Sequence, residues 1–221
     1  MKTASVPINH HVIMEYACAY TSPEDEVLSR LCRDTNLKTI YPHMLSGHLQ
    51  GKLLEMISRM IGPFRILEIG TFTGYSAICL AKGLIAGGLL HTIDINDELT
   101  EMALKYFRLA GISDSIVMHT GDAREIIPAL NEQFDLIYID GNKQQYLEYY
   151  EKAMDRLKTG GTILADNVLW SGKVLRGHEE NDKETQGIIR FNNYVLNDPR
   201  VEKVFLPFRD GLYVIRKIKE E

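Results

Sequence analysis

The sequence predicts a single α/β domain built on a mostly parallel sheet with helices on both faces. Three observations carry this. Short apolar runs alternate with segments of helical period from residue 64 onwards, which demands parallel strands joined by helical crossovers. Residues 65–81 read as strand, tight turn and helix, because the apolar run 66–69 stops at Gly70 and apolar residues at helical spacing (Ile78, Leu80, Ala81) follow Gly74. Acids stand at the carboxyl ends of the expected strands, where open parallel sheets bind their ligands.

Taken in order, residues 9–36 mix apolar and charged positions at helical spacing and are expected to form two helices, with cap residues Thr21 and Ser22 ahead of Pro23 at the start of the second. A third helix is expected over 47–60, with Leu49, Leu53, Leu54 and Ile57 on one face, ended by Gly62 and Pro63. These N-terminal helices (1–60) precede a sheet core (64–221) within one domain. Strands are expected at 66–69, 89–95, 115–120, 134–139 and 162–165, with helices at 98–110, 123–131 and 146–157 between them. Lys158, Thr159, Gly160 and Gly161 read as a turn before the fifth strand. A helix at 184–196 and strands at 201–206 and 212–218 follow, the last two joined by a hairpin at Arg209, Asp210 and Gly211. The polar stretch from Gly172 to Thr185 is the expected mobile lid.

Composition narrows the function. With 25 Lys and Arg against 30 Asp and Glu the net charge is −5, and without a long basic run nucleic acid is not expected as a general partner. No apolar stretch is long enough to span a membrane and no signal pattern opens the chain, so the expected location is the cytoplasm. Cys18, Cys32 and Cys79 lack metal or disulfide spacing and are expected to be reduced.

The turn after the first strand has glycines at its first and fifth positions and lacks the G-x-G-x-x-G of dinucleotide enzymes, while Glu68 would repel a pyrophosphate. S-adenosylmethionine suits this turn better. Its carboxylate matches a helix N-terminus and the Ser76 hydroxyl, and its cationic groups match nearby acids. Taken alone, the turn also fits, less well, a plain strand-to-helix connection with no ligand, and any one strand-end Asp is as readily a helix cap. Asp94 falls where an acid grips ribose hydroxyls, and Asp122 and Ala123 fall where an adenine edge would lie. Asp140, Asp166 and Asn167 form a sharper set, since adjacent strands bring three hard oxygen donors together and imply magnesium, manganese or calcium. Lys143 would share their rim and could serve as a base; the commoner fate of such a lysine is solvation in a polar loop.

These residues resemble the cation-dependent O-methyltransferases, which include the plant caffeoyl-CoA enzymes, their bacterial relatives and, more distantly, catechol O-methyltransferase. The motifs are 67–76 (Leu-Glu-Ile-Gly-Thr-Phe-Thr-Gly-Tyr-Ser), 92–94, 121–123, 134–143, 165–172 and 209–212, and the likeness spans about 44–217. It implies a Rossmann-like class I methyltransferase with a seven-stranded sheet in the order 3-2-1-4-5-7-6, the last strand antiparallel, and a homodimer. It implies that Ser46, Glu68, Gly70, Ser76, Asp94, Ala123 and Asp140 hold S-adenosylmethionine with Met44 nearby and Thr71 and Phe72 in the turn. Asp140, Asp166 and Asn167 match the family's metal ligands, Lys143 its catalytic base, and Trp170 its substrate loop. Two departures stand out: Gly141-Asn142 replaces the Ala-Asp of many relatives, and Tyr213, counted here with the substrate residues, replaces an acid of catechol O-methyltransferase.

The expectation is therefore a metal-dependent O-methyltransferase for a small phenolic acceptor with vicinal hydroxyls. A hydroxylated uridine in transfer RNA is the second acceptor, disfavoured by the negative charge. A binding module that holds the nucleoside without catalysis is the alternative from another class, and an intact Asp140, Lys143, Asp166 and Asn167 set weighs against it. A nicotinamide dehydrogenase fails on the missing third glycine and on Glu68.

Overall fold

The computed structural model describes residues 10–176 and 182–219. Its centre is a seven-stranded sheet of β1 (Arg65–Ile69), β2 (Leu89–Asp94), β3 (Ile116–Thr120), β4 (Phe134–Ile139), β5 (Leu157–Asp166), β6 (Val201–Leu206) and β7 (Leu212–Lys217), in the order β3-β2-β1-β4-β5-β7-β6. The first five strands pair in parallel, and β7 runs antiparallel to both β5 and β6. The chain reverses its direction of travel across the sheet between β1 and β4, so a crevice opens at their carboxyl ends. The ladders continue one residue past the strands: Gly70 N donates to Ile93 O and Asp140 N to Ile69 O, both at 2.8 Å, and Gly121 N to Asp94 O at 2.9 Å. Those three turns are thereby fixed in height around the crevice.

Among the described residues eight helices accompany the sheet: α1 (His10–Ala19), α2 (Glu26–Lys38), α3 (Gly47–Ile61), α4 (Tyr75–Ala81), α5 (Thr100–Leu109), α6 (Ala123–Ala129), α7 (Tyr146–Arg156) and α8 (Lys183–Asn197). The period of two along each strand divides the core into two layers. On β4, Ile137 and Ile139 pack with α6, α7 and α8, whereas Leu136 and Tyr138 face α2 to α5. On β5 the same alternation sends Ile163 and Ala165 one way and Leu164 the other. Strands buried on both faces read as continuous apolar runs, which is why they are visible in the sequence.

Three local expectations are corrected. α2 begins at Glu26, beyond the proline, because the Asp25 side chain accepts from Leu28 N at 2.9 Å and caps it. The four residues from Lys158 to Gly161 form no separate turn and lie inside β5; the register slips between Phe134 and Leu136, and Gly160 at φ +86° takes up the irregularity. Of the expected lid, residues 177–181 lie outside the described residues, while a 3-10 turn at Lys173–Leu175 precedes them and Asp182 caps α8 after them.

His91 on β2 and His119 on β3 share the α6–α8 face, with Nδ1 of His91 and Nε2 of His119 2.9 Å apart and rings inclined by 14°. One proton lies between them. Phe134 packs edge-on against His91, and Glu132, itself bound by Arg65, stands 3.6 Å from His91 Nε2. Burial holds both imidazoles below their ordinary value of 6.5, against the attraction of Glu132 for a charged His91. The unfolded chain therefore takes up protons first as pH falls, so this pair's share of stability is complete above about pH 6.5 and is lost as pH drops through the folded values. The melting temperature should fall between pH 7 and 5, and the His91→Gln/His119→Gln variant should show a shallower fall; parallel profiles would remove the pair as a cause.

Gly70 occupies φ +103°, and a Cβ built there would stand 2.3 Å from the Asp140 carbonyl oxygen. Gly70→Ala combines an unfavourable backbone conformation with a clash against backbone, and should cost at least ~1–3 kcal/mol in denaturant unfolding. An unaltered midpoint would show that the turn can open freely.

Candidate active site

The crevice is walled by the turns that follow β1, β2, β3, β4 and β5, by the hairpin at Arg209 and Asp210, and by the segment that leads into α3. In the first turn, Phe72 adopts φ +49° and its N–H donates to Asp94 Oδ2 at 2.7 Å, while Asp94 Oδ1 accepts from Asn96 N at 2.9 Å. Asp94 is thus braced by the turn it faces. Behind that turn Thr92 Oγ1 donates to Glu68 Oε2 at 2.5 Å, which obliges it to accept from Thr71 Oγ1, also at 2.5 Å. Glu68 shares the face of Ile66 and is fully buried, and its Oε1 has no partner in hydrogen-bonding geometry. Burial pushes its carboxyl up to about 8; the Ser76 and Thr92 hydroxyls oppose the rise, and the charges of Asp140 and Asp94 add to it.

The pairing of Ile139 with Ala165 places Asp140 beside Asp166 at the ends of β4 and β5. Lys143, in a 3-10 turn at Lys143–Gln145, is 8% exposed, and its Nζ donates to Asp140 Oδ1 at 2.8 Å and to the Tyr146 hydroxyl at 2.6 Å. The direction of that second bond is determined. Tyr146 donates its own proton to the Asp166 carbonyl at 2.9 Å, so its oxygen accepts from Lys143. Burial raises the Asp140 carboxyl to about 6, with Lys143 opposing, Asp166 adding, and Arg209 opposing from further off. The Trp170 ring centre lies 5.8 Å from Lys143 Nζ.

Asp166 is 5% exposed; its Oδ1 accepts from Asn167 N at 2.9 Å and its Oδ2 from the Gln50 amide at 2.5 Å and the Tyr138 hydroxyl at 3.1 Å. The loop that follows is strained, with Asn167, Trp170 and Ser171 all at positive φ, as is Arg209 in the facing hairpin. The two loops are stitched together. Leu169 N donates to Asp210 O at 2.8 Å and Ser171 N to Asp210 Oδ1 at 2.6 Å, and a Cβ on Gly211 would strike Leu169 N at 2.9 Å. Burial raises the Asp210 carboxyl, against hydrogen bonds from Ser171 N and the Asn167 side chain.

The resulting cleft has a volume of about 1550 Å³. Met44, Ser46, Gly70, Thr71, Phe72, Ser76, Asp94, Asp122, Ala123, Asp140, Lys143, Asp166, Asn167 and Trp170 all line it. Tyr213 does not. It pairs with Ala165 one step below the rim, where alternation turns it into the α7–α8 core at 5% exposure against Phe191 and Phe205, so its expected place among the substrate residues is corrected. Glu68 lies beneath the wall, and the Asp122 carboxylate is committed to capping α6 through Arg124 N and to the Arg124 guanidinium. Lys143 is buried, contrary to the usual fate of a loop lysine. Among the described residues no three His, Cys, Asp or Glu side chains converge as a metal-binding group; the expected donor set contains two acids and an amide.

Gln50, Tyr138, Tyr146 and the Arg209 side chain were not anticipated. The one available signal was polarity out of place: Gln50 falls on the buried stripe of α3 with Leu54 and Ser58.

The family model described as O-methyltransferase matches residues 17–218. A caffeoyl-CoA O-methyltransferase from Eucalyptus gunnii is 32% identical over 206 residues, covering 89% of this chain and 82% of the relative. The O-methyltransferase TomG from Streptomyces achromogenes, involved in tomaymycin synthesis and solved in complex with SAM, superposes with a TM-score of 0.88 at 29% identity, covering 94% of this chain and 96% of that one. An O-methyltransferase from Bacillus cereus in complex with SAH superposes at 0.87 with 30% identity, covering 93% and 97%. With its cleft at the sheet's switch point, its strand order and this match over nearly its whole length, the chain belongs to the family of S-adenosylmethionine-dependent O-methyltransferases that contains the caffeoyl-CoA enzymes.

Proposed function

We propose that this protein methylates one hydroxyl of a small phenolic acceptor with vicinal hydroxyls, using S-adenosylmethionine and a divalent cation. The observation that carries the reading is the placement of Lys143 Nζ on the cleft wall between Asp140 Oδ1 and the Tyr146 hydroxyl, next to a second strand-end acid, Asp166.

For the donor, Asp94 keeps lone pairs on both oxygens beyond the backbone bonds that brace it, which suits two ribose hydroxyls. The unpartnered Oε1 of Glu68 suits a cationic group reaching behind the turn, and Ser76 lies on the same wall. Gly70 and Ala123 put little side-chain bulk on the wall, and Met44, Ser46, Thr71 and Phe72 complete it.

The donor chemistry for a cation fits magnesium, manganese or calcium. Lys143 engages only one oxygen of Asp140, Asp166 retains capacity on Oδ1, and the Asn167 side chain already bonds Asp210 and so has its amide oxygen to offer. Such a cation, when bound, would make an acceptor hydroxyl more acidic and hold two vicinal oxygens in place. Lys143 removes the proton. As a free amine it has two N–H bonds, which satisfy Asp140 and Tyr146, and one lone pair left for the acceptor. The acceptor oxygen then displaces S-adenosylhomocysteine from the methyl group in line, and the proton leaves on Lys143. Trp170 and Leu169 provide apolar wall for an aromatic ring. A homodimer in the cytoplasm belongs to the same reading through the family likeness; among the described residues no helix is long and apolar enough to cross a membrane.

Labelled S-adenosylmethionine should methylate a catechol or caffeoyl thioester in the presence of magnesium, and chelation should abolish turnover. Turnover of transfer RNA alone, or full activity after rigorous chelation, would reject this reading. Lys143→Ala should lower kcat by about 10²–10⁴-fold while S-adenosylhomocysteine affinity stays nearly constant; near-normal kcat would leave deprotonation to water or the cation.

A further inference from the structure

We propose that Gln50 is a positioning residue which fixes the Asp166 carboxylate for the divalent cation, through a side-chain amide whose orientation Arg209 sets; the inference rests on the cation reading above. Gln50 is 1% exposed on the buried stripe of α3. Alternation along β5 turns Asp166, like Leu164, towards α3, so a side chain from this helix reaches it alongside Tyr138 of β4.

The partners leave no freedom in the amide. Arg209 has donors only, and its Nη1 bonds both Gln50 Oε1 and the Ser46 carbonyl. The Asp166 carboxylate only accepts, so it must face Nε2, at 2.5 Å. The second Nε2 proton goes to the Tyr138 hydroxyl at 2.8 Å, and Tyr138 passes its own proton to Asp166 Oδ2 at 3.1 Å. Every polar atom of a fully buried glutamine is thereby used.

The consequence is a count of lone pairs. Oδ2 of Asp166 is committed to Gln50 and Tyr138, and Oδ1 has one lone pair taken by Asn167 N. One position remains on one oxygen. Asp166 is therefore held to offer a cation a single oxygen in a set direction, and rotation of the carboxylate would break three bonds. Without Gln50, Oδ2 would be free to turn, and the site would have to order the carboxylate when the cation binds. Groups that orient a ligating carboxylate in this way typically contribute 10–100-fold in metal affinity. Because Arg209 also bonds the Ser46 carbonyl, the hairpin, the start of α3 and the metal-side acid form one connected unit.

A glutamine that merely packs α3 onto the sheet would affect melting of the metal-free protein and nothing else. The test is titration of manganese chloride into the full chain saturated with S-adenosylhomocysteine, followed by calorimetry and by water-proton relaxation. Gln50→Met should bind manganese about 10–100-fold more weakly, with S-adenosylhomocysteine affinity measured without metal within twofold of wild type. Arg209→Lys, which keeps the charge in a surface hairpin and loses the planar fork that pins the amide, should weaken manganese by a smaller factor and serves if Gln50→Met does not fold. Unchanged manganese affinity in folded Gln50→Met overturns the proposal; if that variant does not fold, unchanged affinity in Arg209→Lys overturns it. A wild-type protein that binds no manganese removes the cation reading and this inference with it.

Discussion

The parallel register of β4 and β5 places Asp140 and the buried Asp166 side by side at the carboxyl end of the sheet, and that crowding of negative charge conditions the rest of the site. Burial lifts the Asp140 carboxyl to about 6, and the neighbouring charge of Asp166 adds to the rise. The surrounding residues answer that charge. Lys143 is drawn out of solvent onto Asp140, Tyr146 is turned to accept from Lys143, Gln50 and Tyr138 donate to Asp166, and Arg209 crosses from the hairpin to hold Gln50. A buried ion pair of this kind is weak evidence for stability, since desolvation consumes much of the Coulombic gain. Its persistence in a cleft is better explained by chemistry that uses the charges.

The strain in the structure gathers at the same place. Asn167, Trp170, Ser171 and Arg209 hold left-handed backbones within two loops that share hydrogen bonds through Asp210 and approach closely at Gly211. Non-glycine residues in that region persist only where their surroundings over-determine them. Here the loops brace each other, and the strained residues include the amide beside Asp166 and the indole above Lys143.

Much of this was legible in the sequence, for identifiable reasons. β4 and β1 show as continuous apolar runs because both their faces are buried, and Gly70 and Gly74 mark a turn that needs positive φ. Asp94, Asp140 and Asp166 were legible because a strand's end fixes where its last side chain lies. The failures share a cause. Tyr213 takes the place of an acid of catechol O-methyltransferase in the sequence, yet its side of the sheet is decided by pairing with Ala165. Lys158 to Gly161 carry turn residues, but the sheet accommodates them as an irregularity in β5. Gln50 and Tyr138 lie 88 residues apart, and their contact depends on how α3 packs on the sheet, which no local pattern records.

The proposed cation site lies between the two strand-end acids and the adjoining amide, beside the donor. Anomalous diffraction from crystals grown with S-adenosylhomocysteine and manganese would locate the ion. A manganese peak is expected within coordinating distance of Asp140, Asp166 and Asn167 together, with the nucleoside against Asp94. Manganese absent from that position at saturating concentration, or bound elsewhere while Lys143 alone faces the acceptor space, would contradict it.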